Sequence, residues 1–248
     1  MILDFLLFPI FILSILSLGA AFDRILCKLI CYRGRLSEDI SIQGMFGLFF
    51  LGVMGLIANF IIPLSSPVFL FSIIVMIIFG AVIFVQQRHL ISKHELQYLF
   101  ISSLLLVPLL ASMNPGYDGG LYHLPHQLWL REERIVFGLA NFHGRFGFSS
   151  FLEYINAPLW INNHFKLLSY IIGAFYTFFT LFLVSKSFSS KGPLLTLILA
   201  IVLNMAIYSG YLNWSYTFSD IPAGLLFVVL FIYGFSMLYS NEIVTRRG

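Results

Sequence analysis

Seven long apolar runs dominate this sequence, and each is close to the length needed to cross a bilayer. They cover residues 2–21, 43–63, 67–86, 97–113, 166–185, 192–211 and 221–240. A membrane-spanning helix needs about 20 mainly apolar residues. Charged residues make up only 10% of the chain, whereas they make up about 25% of a soluble domain. We therefore expect an integral membrane protein.

The apolar runs predict an all-α fold, a polytopic membrane helix bundle with about seven transmembrane helices and one large loop. Backbone polar groups cannot stay unpaired in lipid, so only helices and closed barrels cross a membrane. None of the runs shows the polar–apolar alternation of a barrel strand. Residues 1–248 are expected to form a single membrane domain, in which 1–112 hold four spans, 113–165 form the loop and 166–248 hold three spans.

The basic residues predict the orientation of the spans, because cytoplasmic loops carry an excess of Lys and Arg. With seven spans, the connections alternate between the two sides of the membrane. One side receives ten basic residues: Arg24, Lys28, Arg33, Arg35, Arg88, Lys93, Lys186, Lys191, Arg246 and Arg247. The other side receives four: Arg131, Arg134, Arg145 and Lys166. This asymmetry predicts that the N-terminus and the 113–165 loop are extracytoplasmic and that the C-terminus is cytoplasmic.

The 113–148 segment differs from the rest of the chain, because carboxylates, histidines, arginines and glycines interrupt the apolar pattern. It reads MNPGYDGGLYHLPHQLWLREERIVFGLANFHGRFGF. Asn-Pro-Gly at 114–116 is a turn signal, so Asp118 is expected at the membrane surface. A second carboxylate, Asp220, stands at the start of the seventh predicted span, on the same side. The two carboxylates can therefore meet at one cavity.

A short surface helix is predicted within this segment, at residues 125–134. Pro125 suits the first turn of a helix. Leu128 and Trp129 would then face the bilayer, as in an interfacial amphipathic helix. The mixed charges at 131–134 are typical of a solvated helix face.

Two runs in the segment resemble the signature of a family of uncharacterised bacterial polytopic membrane proteins. They are Tyr-Asp-Gly-Gly-Leu-Tyr-His-Leu-Pro at 117–125 and Gly-Leu-Ala-Asn-Phe-His-Gly-Arg-Phe-Gly-Phe at 138–148. Ser-Asp-Ile-Pro at 219–222 resembles a second, weaker motif. That family is in turn similar to the GT-C glycosyltransferases, which use lipid-linked sugar donors. The resemblance implies a multi-pass protein of the bacterial plasma membrane, the cell inner membrane.

The resemblance also implies a function. It is that of a membrane glycosyltransferase-like protein, acting on the extracytoplasmic side in cell-surface polysaccharide or glycolipid assembly. Its partners would be membrane lipid, a polyprenyl-phosphate-linked sugar donor and a glycan acceptor. Typical GT-C members are longer and commonly carry the catalytic loop after the first span, whereas four predicted spans precede it here. The resemblance therefore also implies a truncated member.

Sugar transfer from a polyprenyl phosphate needs a base for the acceptor proton and strong donors or cations for the phosphate. The resemblance puts Asp118 in the role of the catalytic carboxylate. The substrate-binding candidates are His123, His143, Arg145 and Asp220. We predict that Asp118 converges on one outward-facing cavity with three of them: His143, Arg145 and Asp220.

Some of these residues also have a simpler interpretation. Asp is a preferred helix N-cap, so Asp118 can serve only to cap the helix that follows it. His123 and His126 have a spacing that can place two imidazoles on one metal ion, but Pro125 between them disturbs a regular helix. We therefore assign no metal site and no cofactor, and a divalent metal stays an unsupported alternative.

Two further function classes stay open, and with them the question of whether the chain is an enzyme. One is a lipid-linked oligosaccharide transporter or polymerase-like membrane protein, and the other is a non-catalytic truncated membrane protein. Transporters typically place ionisable residues near mid-membrane, and the predicted spans contain almost none. No nucleotide-phosphate loop, nucleophile elbow, zinc-protease helix or nucleic-acid patch occurs in the sequence. No nucleic-acid partner is expected.

Overall fold

The computed structural model describes residues 2–32, 34, 36, 39–87, 91–147, 150–160, 165–189 and 222–230. Within these residues every regular element is helical. The long helices are α1 (Asp4–Leu29), α2 (Ile40–Asn59), α3 (Pro67–Gln87), α4 (Lys93–Ser112) and α9 (Lys166–Ser189). Between α4 and α9 lie α5 (Gly116–Asp118), a π-helical turn (Gly119–His123), α6 (Leu124–Glu132), α7 (Leu139–Phe142), a 3-10 turn (Gly144–Gly147), α8 (Phe151–Asn156) and a second 3-10 turn (Ala157–Leu159).

The first five predicted spans are confirmed as helices that are long and apolar enough to cross a membrane. The chain is therefore an all-helical protein with several candidate membrane spans. α1 is longer than predicted, because it continues through Arg24 and Lys28 to Leu29. The predicted span at 192–211 lies outside the described residues. So does most of the span at 221–240, of which residues 222–230 are described and helical.

The five long helices alternate in direction and pack around α1. α1 contacts α2, α3, α4 and α9. α1, α3 and α9 begin at the end of the bundle where α2 and α4 finish. We name this the loop end, because the 113–165 segment connects α4 to α9 there. The opposite end is named the basic end, after Lys28 and Lys93.

Glycines let α1 approach its neighbours more closely than a larger residue would allow. A Cβ on Gly47 of α2 would lie 1.9 Å from the carbonyl oxygen of Ile15 in α1. A Cβ on Gly80 of α3 would lie 1.8 Å from the carbonyl oxygen of Ser17. Membrane helices associate through such close packing, since lipid is as apolar as their side chains. α1 therefore meets α2 and α3 backbone to backbone.

α2 uses two further glycines to seat the short helix α8 at the loop end. A Cβ on Gly52 would lie 2.3 Å from the ring of Phe151, and one on Gly55 would lie 2.6 Å from the carbonyl oxygen of Tyr154. Any side chain at these positions would push α8 away. Since α8 also carries Glu153, the glycine face of α2 sets the position of that carboxylate.

Two carboxylates are buried within α1, which qualifies the expectation that the spans contain almost no ionisable residues. At the loop end, the hydroxyl of Tyr170 donates to Oδ1 of Asp4 over 2.6 Å, and both side chains are buried. This bond ties α1 to α9. Near the basic end, Asp23 accepts a hydrogen bond of 2.7 Å from the backbone N–H of Leu36. Both carboxylates lie towards the ends of the helix rather than at its middle.

Candidate functional site

Asp118, Tyr122 and His126 follow one another at intervals of four residues along one helical stretch at the loop end. The stretch runs from α5 through the π-helical turn into α6. Residues four apart in a helix are neighbours on one face, so these three side chains form a polar row. Asp118 is half-buried, and its side chain makes no capping hydrogen bond to the backbone. The interpretation of Asp118 as a helix cap is therefore wrong.

The helix predicted at 125–134 is confirmed as α6, which occupies Leu124–Glu132, while its contact with the bilayer stays a prediction. Leu128 and Trp129 are 45% and 40% exposed. An apolar pair on the open side of a helix at the end of a membrane bundle suits contact with lipid at headgroup level.

Arg131 corrects the expectation of a fully solvated charge run at 131–134. Its guanidinium is half-buried, and Nη1 donates to the carbonyl oxygens of Ala157 at 3.1 Å and Trp160 at 2.9 Å. It also lies 5.6 Å from the centre of the Trp160 ring. The other residues of the run, 132–134, are exposed. Arg131 thus fastens the end of α6 to the 157–160 turn.

Asn59, the last residue of α2, holds the chain that leaves α6. Its side-chain amide donates to the carbonyl oxygens of Leu130 and Glu133, both at 2.9 Å. The backbone carbonyl oxygen of Asn59 accepts a hydrogen bond of 2.8 Å from the backbone N–H of Ile135. Asn59 is fully buried. Asn59 therefore fixes residues 130–135 against the transmembrane bundle, through its side chain at 130 and 133 and through its backbone at 135.

Asp118 and Arg145 meet at the ring of Tyr122, although 27 positions of sequence separate them. The guanidinium carbon of Arg145 lies 5.0 Å from the centre of the Tyr122 ring. Partial burial raises the pKa of Tyr122, and so does the negative charge of Asp118, while the positive charge of Arg145 opposes the rise. The tyrosine thus lies between a carboxylate and a guanidinium.

The 3-10 turn at Gly144–Gly147 lies across the polar row, and His143 precedes it and contacts the turn. The backbone N–H of Arg145 donates to Nδ1 of His143 at 3.3 Å. The ring of Phe146 lies 5.4 Å from that of His143 and 5.9 Å from that of His126. This turn therefore presents Arg145 to Tyr122 and Phe146 to His126.

One buried carboxylate, Glu153, receives both histidines of the His-x-x-His pair. Nδ1 of His123 donates to one carboxylate oxygen at 2.8 Å, and Nδ1 of His126 donates to the other. Burial by itself raises the pKa of Glu153. The hydrogen bonds and charges of the two histidines outweigh that effect, so the pKa lies below its usual 4.5. Glu153 is therefore a buried, ionised acceptor.

The sequence reasoning missed Glu153, and only a local signal points to it. Ser150 and Glu153 form a capping box at the start of α8, in which Oγ of Ser150 accepts from the backbone N–H of Leu152 at 3.2 Å. That Ser-x-x-Glu spacing predicts a helix start. It does not predict the histidine partners, which lie 27 and 30 positions away.

The predicted site residues thus fall into four groups. Asp118 and Arg145 are brought into one cluster with Tyr122, while the ring of His143 contacts the backbone N–H of Arg145 and the ring of Phe146. His123 is buried and hydrogen-bonded to Glu153. Asp220 lies outside the described residues, so its predicted approach to this cluster stays a prediction.

A large apolar cavity reaches α8 from the side of the bundle. Its volume is about 660 Å³, and aromatic and aliphatic residues line it. They include Phe22 and Phe49 of α1 and α2, together with Phe151 and Ile155 of α8. Since Phe151 and Ile155 are four residues apart, α8 turns one face to this cavity, and Glu153, two positions from each, lies on the other face.

No group of three or more His, Cys, Asp or Glu side chains within the described ranges is arranged to hold a metal ion. His123 and His126 each use one ring nitrogen to bind Glu153. The pair is therefore a hydrogen-bonded unit, in which a single carboxylate orients both rings.

Comparison with known families places nearly the whole chain in one of them. Residues 1–246 match the model described as "Domain of unknown function (DUF8201)". The chain belongs to this family. Neither a curated protein nor a solved structure matches the DUF8201 chain.

The loop end of this DUF8201 member combines groups with different chemical capacities. Asp118 can accept a proton, and the exposed Arg145 can bind an anion such as a phosphate. Tyr122 lies between them and can donate or accept a hydrogen bond. The Glu153-bound histidines are rigid neighbours of this cluster. Together these groups can hold an anionic, hydroxyl-bearing substrate at the end of the bundle.

Proposed function

We propose that this chain is a GT-C-like glycosyltransferase that moves a sugar from a polyprenyl-phosphate-linked donor to a glycan acceptor. Such a reaction serves cell-surface polysaccharide or glycolipid assembly. The observation that carries the proposal is the meeting of Asp118 and Arg145 at Tyr122. The transfer of a sugar from a phosphate requires a base and a cation close together, and these two residues supply them.

The step can be written with these residues in fixed roles. The acceptor hydroxyl oxygen attacks the anomeric carbon, and its proton passes to the carboxylate of Asp118. The bond between the anomeric carbon and the phosphate oxygen breaks, and its electron pair stays on the polyprenyl phosphate. Arg145 stabilises the negative charge of this leaving group, and His143 beside it offers a further hydrogen bond.

Two apolar features support a lipid-linked substrate. Leu128 and Trp129 are exposed on α6, close in sequence to the polar row. The cavity of about 660 Å³ is lined in part by Phe151 and Ile155 of α8, so it offers an apolar place for an isoprenoid chain beside that helix. An apolar tail and a phosphate head would then find matching surfaces at one end of the bundle.

The proposed location is the bacterial inner membrane. The N-terminus and the 113–165 segment lie on the extracytoplasmic side, and the C-terminus lies in the cytoplasm. The ten-to-four distribution of basic residues between the two sides supports this orientation. Lipid-linked sugars of surface polysaccharides are consumed on that side.

The test is a transfer assay with the full-length protein in lipid nanodiscs. A panel of radiolabelled polyprenyl-phosphate sugars serves as donor, with a membrane lipid extract as the acceptor source. Asp118→Asn is expected to lower the transfer rate by about 10²–10⁴-fold, the usual contribution of a general base. The control is Glu133→Gln, which alters an exposed carboxylate of the same segment.

A second measurement separates binding from chemistry. Arg145→Gln should weaken binding of sugar-free polyprenyl phosphate by about 10–100-fold, since hydrogen bonds to charged groups contribute about 1.5–3 kcal/mol. Arg134→Gln removes an exposed arginine of the same segment and should leave binding nearly unchanged. Equal binding by the two arginine variants, or wild-type transfer by Asp118→Asn, would contradict the proposal.

A further inference from the structure

The hydrogen bond to Glu153 determines which ring nitrogen of His126 carries a hydrogen. A carboxylate only accepts hydrogen bonds, so Nδ1 of His126 carries the hydrogen that it donates. In the neutral ring, Nε2 is then an acceptor with a free lone pair. His126 is 4% exposed and is among the residues that line a small cavity.

This cavity has a volume of about 260 Å³ and lies between α6, the start of α7 and the 144–147 turn. His126, Phe146, Tyr154, Leu139, Gly138 and Gly147 are among the residues that line it. The two glycines contribute only backbone, which is polar. Pockets for drug-sized ligands measure about 300–1,000 Å³, so this one suits a single ring-sized group.

A sugar ring has an apolar C–H face and polar hydroxyl groups, and the lining of this cavity offers partners for both. Phe146 is nearly parallel to the ring of His126, at an interplanar angle of 22°, and it offers an aromatic surface to the C–H face of a pyranose. The hydroxyl groups of a sugar need hydrogen-bond partners when they leave water. The free nitrogen of His126 and the glycine backbone supply such partners.

We propose that this cavity, named here the His126 pocket, binds one sugar ring of the glycan acceptor, with Nε2 of His126 accepting a hydrogen bond from a sugar hydroxyl. The proposal rests on the proposed function for the identity of the substrate, but it requires only binding. Tyr122 precedes His126 by four residues, or about 6 Å along a helix. A sugar in the His126 pocket therefore lies one turn from the ring at which Asp118 and Arg145 meet.

The experiment measures binding of a panel of methyl glycosides to the full-length protein in nanodiscs by saturation-transfer NMR. Wild type is expected to bind at least one of them. His126→Asn keeps a donor near the position of Nδ1, and so a bond to Glu153, but it removes Nε2. Its Kd should rise by at least about fivefold. His94→Asn, which alters an exposed histidine near the basic end, is the control.

A second variant keeps the test decisive if His126→Asn does not fold. Leu139→Trp fills the His126 pocket from its half-exposed wall without altering Glu153 or its histidines, and it should abolish glycoside binding. The proposal is overturned if no methyl glycoside binds to wild type. It is also overturned if a folded His126→Asn binds as wild type does, or if Leu139→Trp retains binding.

The same variants separate this inference from the transferase proposal. Asp118→Asn should keep glycoside binding while losing transfer. If glycosides bind through His126 but wild type transfers no sugar, the transferase proposal fails and the His126 pocket stands. If wild type transfers sugar and His126→Asn leaves the KM for the acceptor unchanged, the pocket fails and the transferase stands.

Discussion

At the residue scale, Glu153 connects two segments that the sequence keeps apart. It is buried on α8, and its two carboxylate oxygens accept hydrogen bonds from His123 and His126. A buried carboxylate is stable only when hydrogen bonds compensate for the lost hydration. Buried Glu153 therefore requires the hydrogen bonds from the two histidines. These bonds in turn fix the orientation of the rings of His123 and His126.

The lowered pKa of Glu153 predicts a specific dependence of stability on pH. The folded state holds its proton less tightly than the unfolded state, in which the pKa takes its usual value of 4.5. The stabilisation is therefore complete above that value and is lost as the pH falls through the lower, folded-state pKa. Near neutral pH, Glu153→Gln should cost about 1.5–3 kcal/mol of unfolding free energy.

Thermal unfolding in detergent between pH 3 and 7 measures this effect. The difference in Tm between wild type and Glu153→Gln should be constant near neutral pH and should shrink below about pH 4. Glu133→Gln, at an exposed position, should differ little from wild type throughout. A difference that grows as the pH falls would show that Glu153 is not an ionised acceptor in the folded protein.

Asn59 gives a second prediction at the residue scale. Asn59→Ala would remove two hydrogen bonds of 2.9 Å and leave the carbonyl oxygens of Leu130 and Glu133 without this donor. Unpaired buried polar groups cost about 1–3 kcal/mol. We expect faster amide exchange in residues 130–135, measured by mass spectrometry. The exposed Asn141→Ala is the control, and equal exchange in both variants would rule out this clamp.

At the scale of elements, α2 is the helix that organises the bundle and the site together. Gly47 lets α1 pack against one side of it, and Gly52 and Gly55 seat α8 on another side. The polar cluster depends on this second contact, because α8 carries Glu153. The packing of α8 against α2 thus positions Glu153 at the candidate site.

Substituting Gly47 by alanine tests this packing. Alanine favours a helix by about 1 kcal/mol over glycine, but its Cβ would lie 1.9 Å from the carbonyl oxygen of Ile15. Backbone cannot move aside as a side chain can, so the clash should outweigh the helix preference and lower the unfolding free energy by at least about 1–3 kcal/mol. The measurement is the Tm of the purified protein in detergent.

The matched control is Gly120→Ala, because a Cβ at Gly120 meets no other atom within 4 Å. This variant should be as stable as wild type or slightly more stable. If Gly47→Ala is no less stable than Gly120→Ala, then α1 and α2 do not pack at the distance described above.

At the scale of the whole molecule, the orientation in the membrane decides which compartment the polar cluster faces. Cysteine labelling in intact cells measures it. Ser150 is unsuitable for a new cysteine because it caps α8, so Asn141→Cys is placed in a background with Cys27→Ala and Cys31→Ala. We expect an impermeant maleimide to label Asn141→Cys in intact cells.

The chain itself supplies the control for the opposite side. Cys31 is an exposed thiol beyond the basic end of α1, while Cys27 is buried. With Cys27→Ala alone, Cys31 should react with the maleimide only after the cells are permeabilised. The reverse pattern of labelling would place the polar cluster in the cytoplasm and would exclude the proposed extracytoplasmic reaction.

The sequence alone determined the elements whose cause is local. The spans that became α1, α2, α3, α4 and α9 follow from runs of apolar residues, which have no stable place in water. α6 follows from Pro125 and the pattern after it. The polar segment that contains Asp118 and Arg145 was also visible, because its composition contrasts with its surroundings. The pattern that predicts each of these features lies within about 20–40 consecutive residues.

Which side chains meet depends on how the helices pack against one another. Glu153 binds histidines at 27 and 30 positions of separation, and Arg131 is half-buried because the carbonyl oxygens of a distant turn accept from it. Such partners leave no periodic pattern in a single sequence. They form because α8 is held against the glycines of α2, and buried polar groups must then find each other to replace the water that they lose.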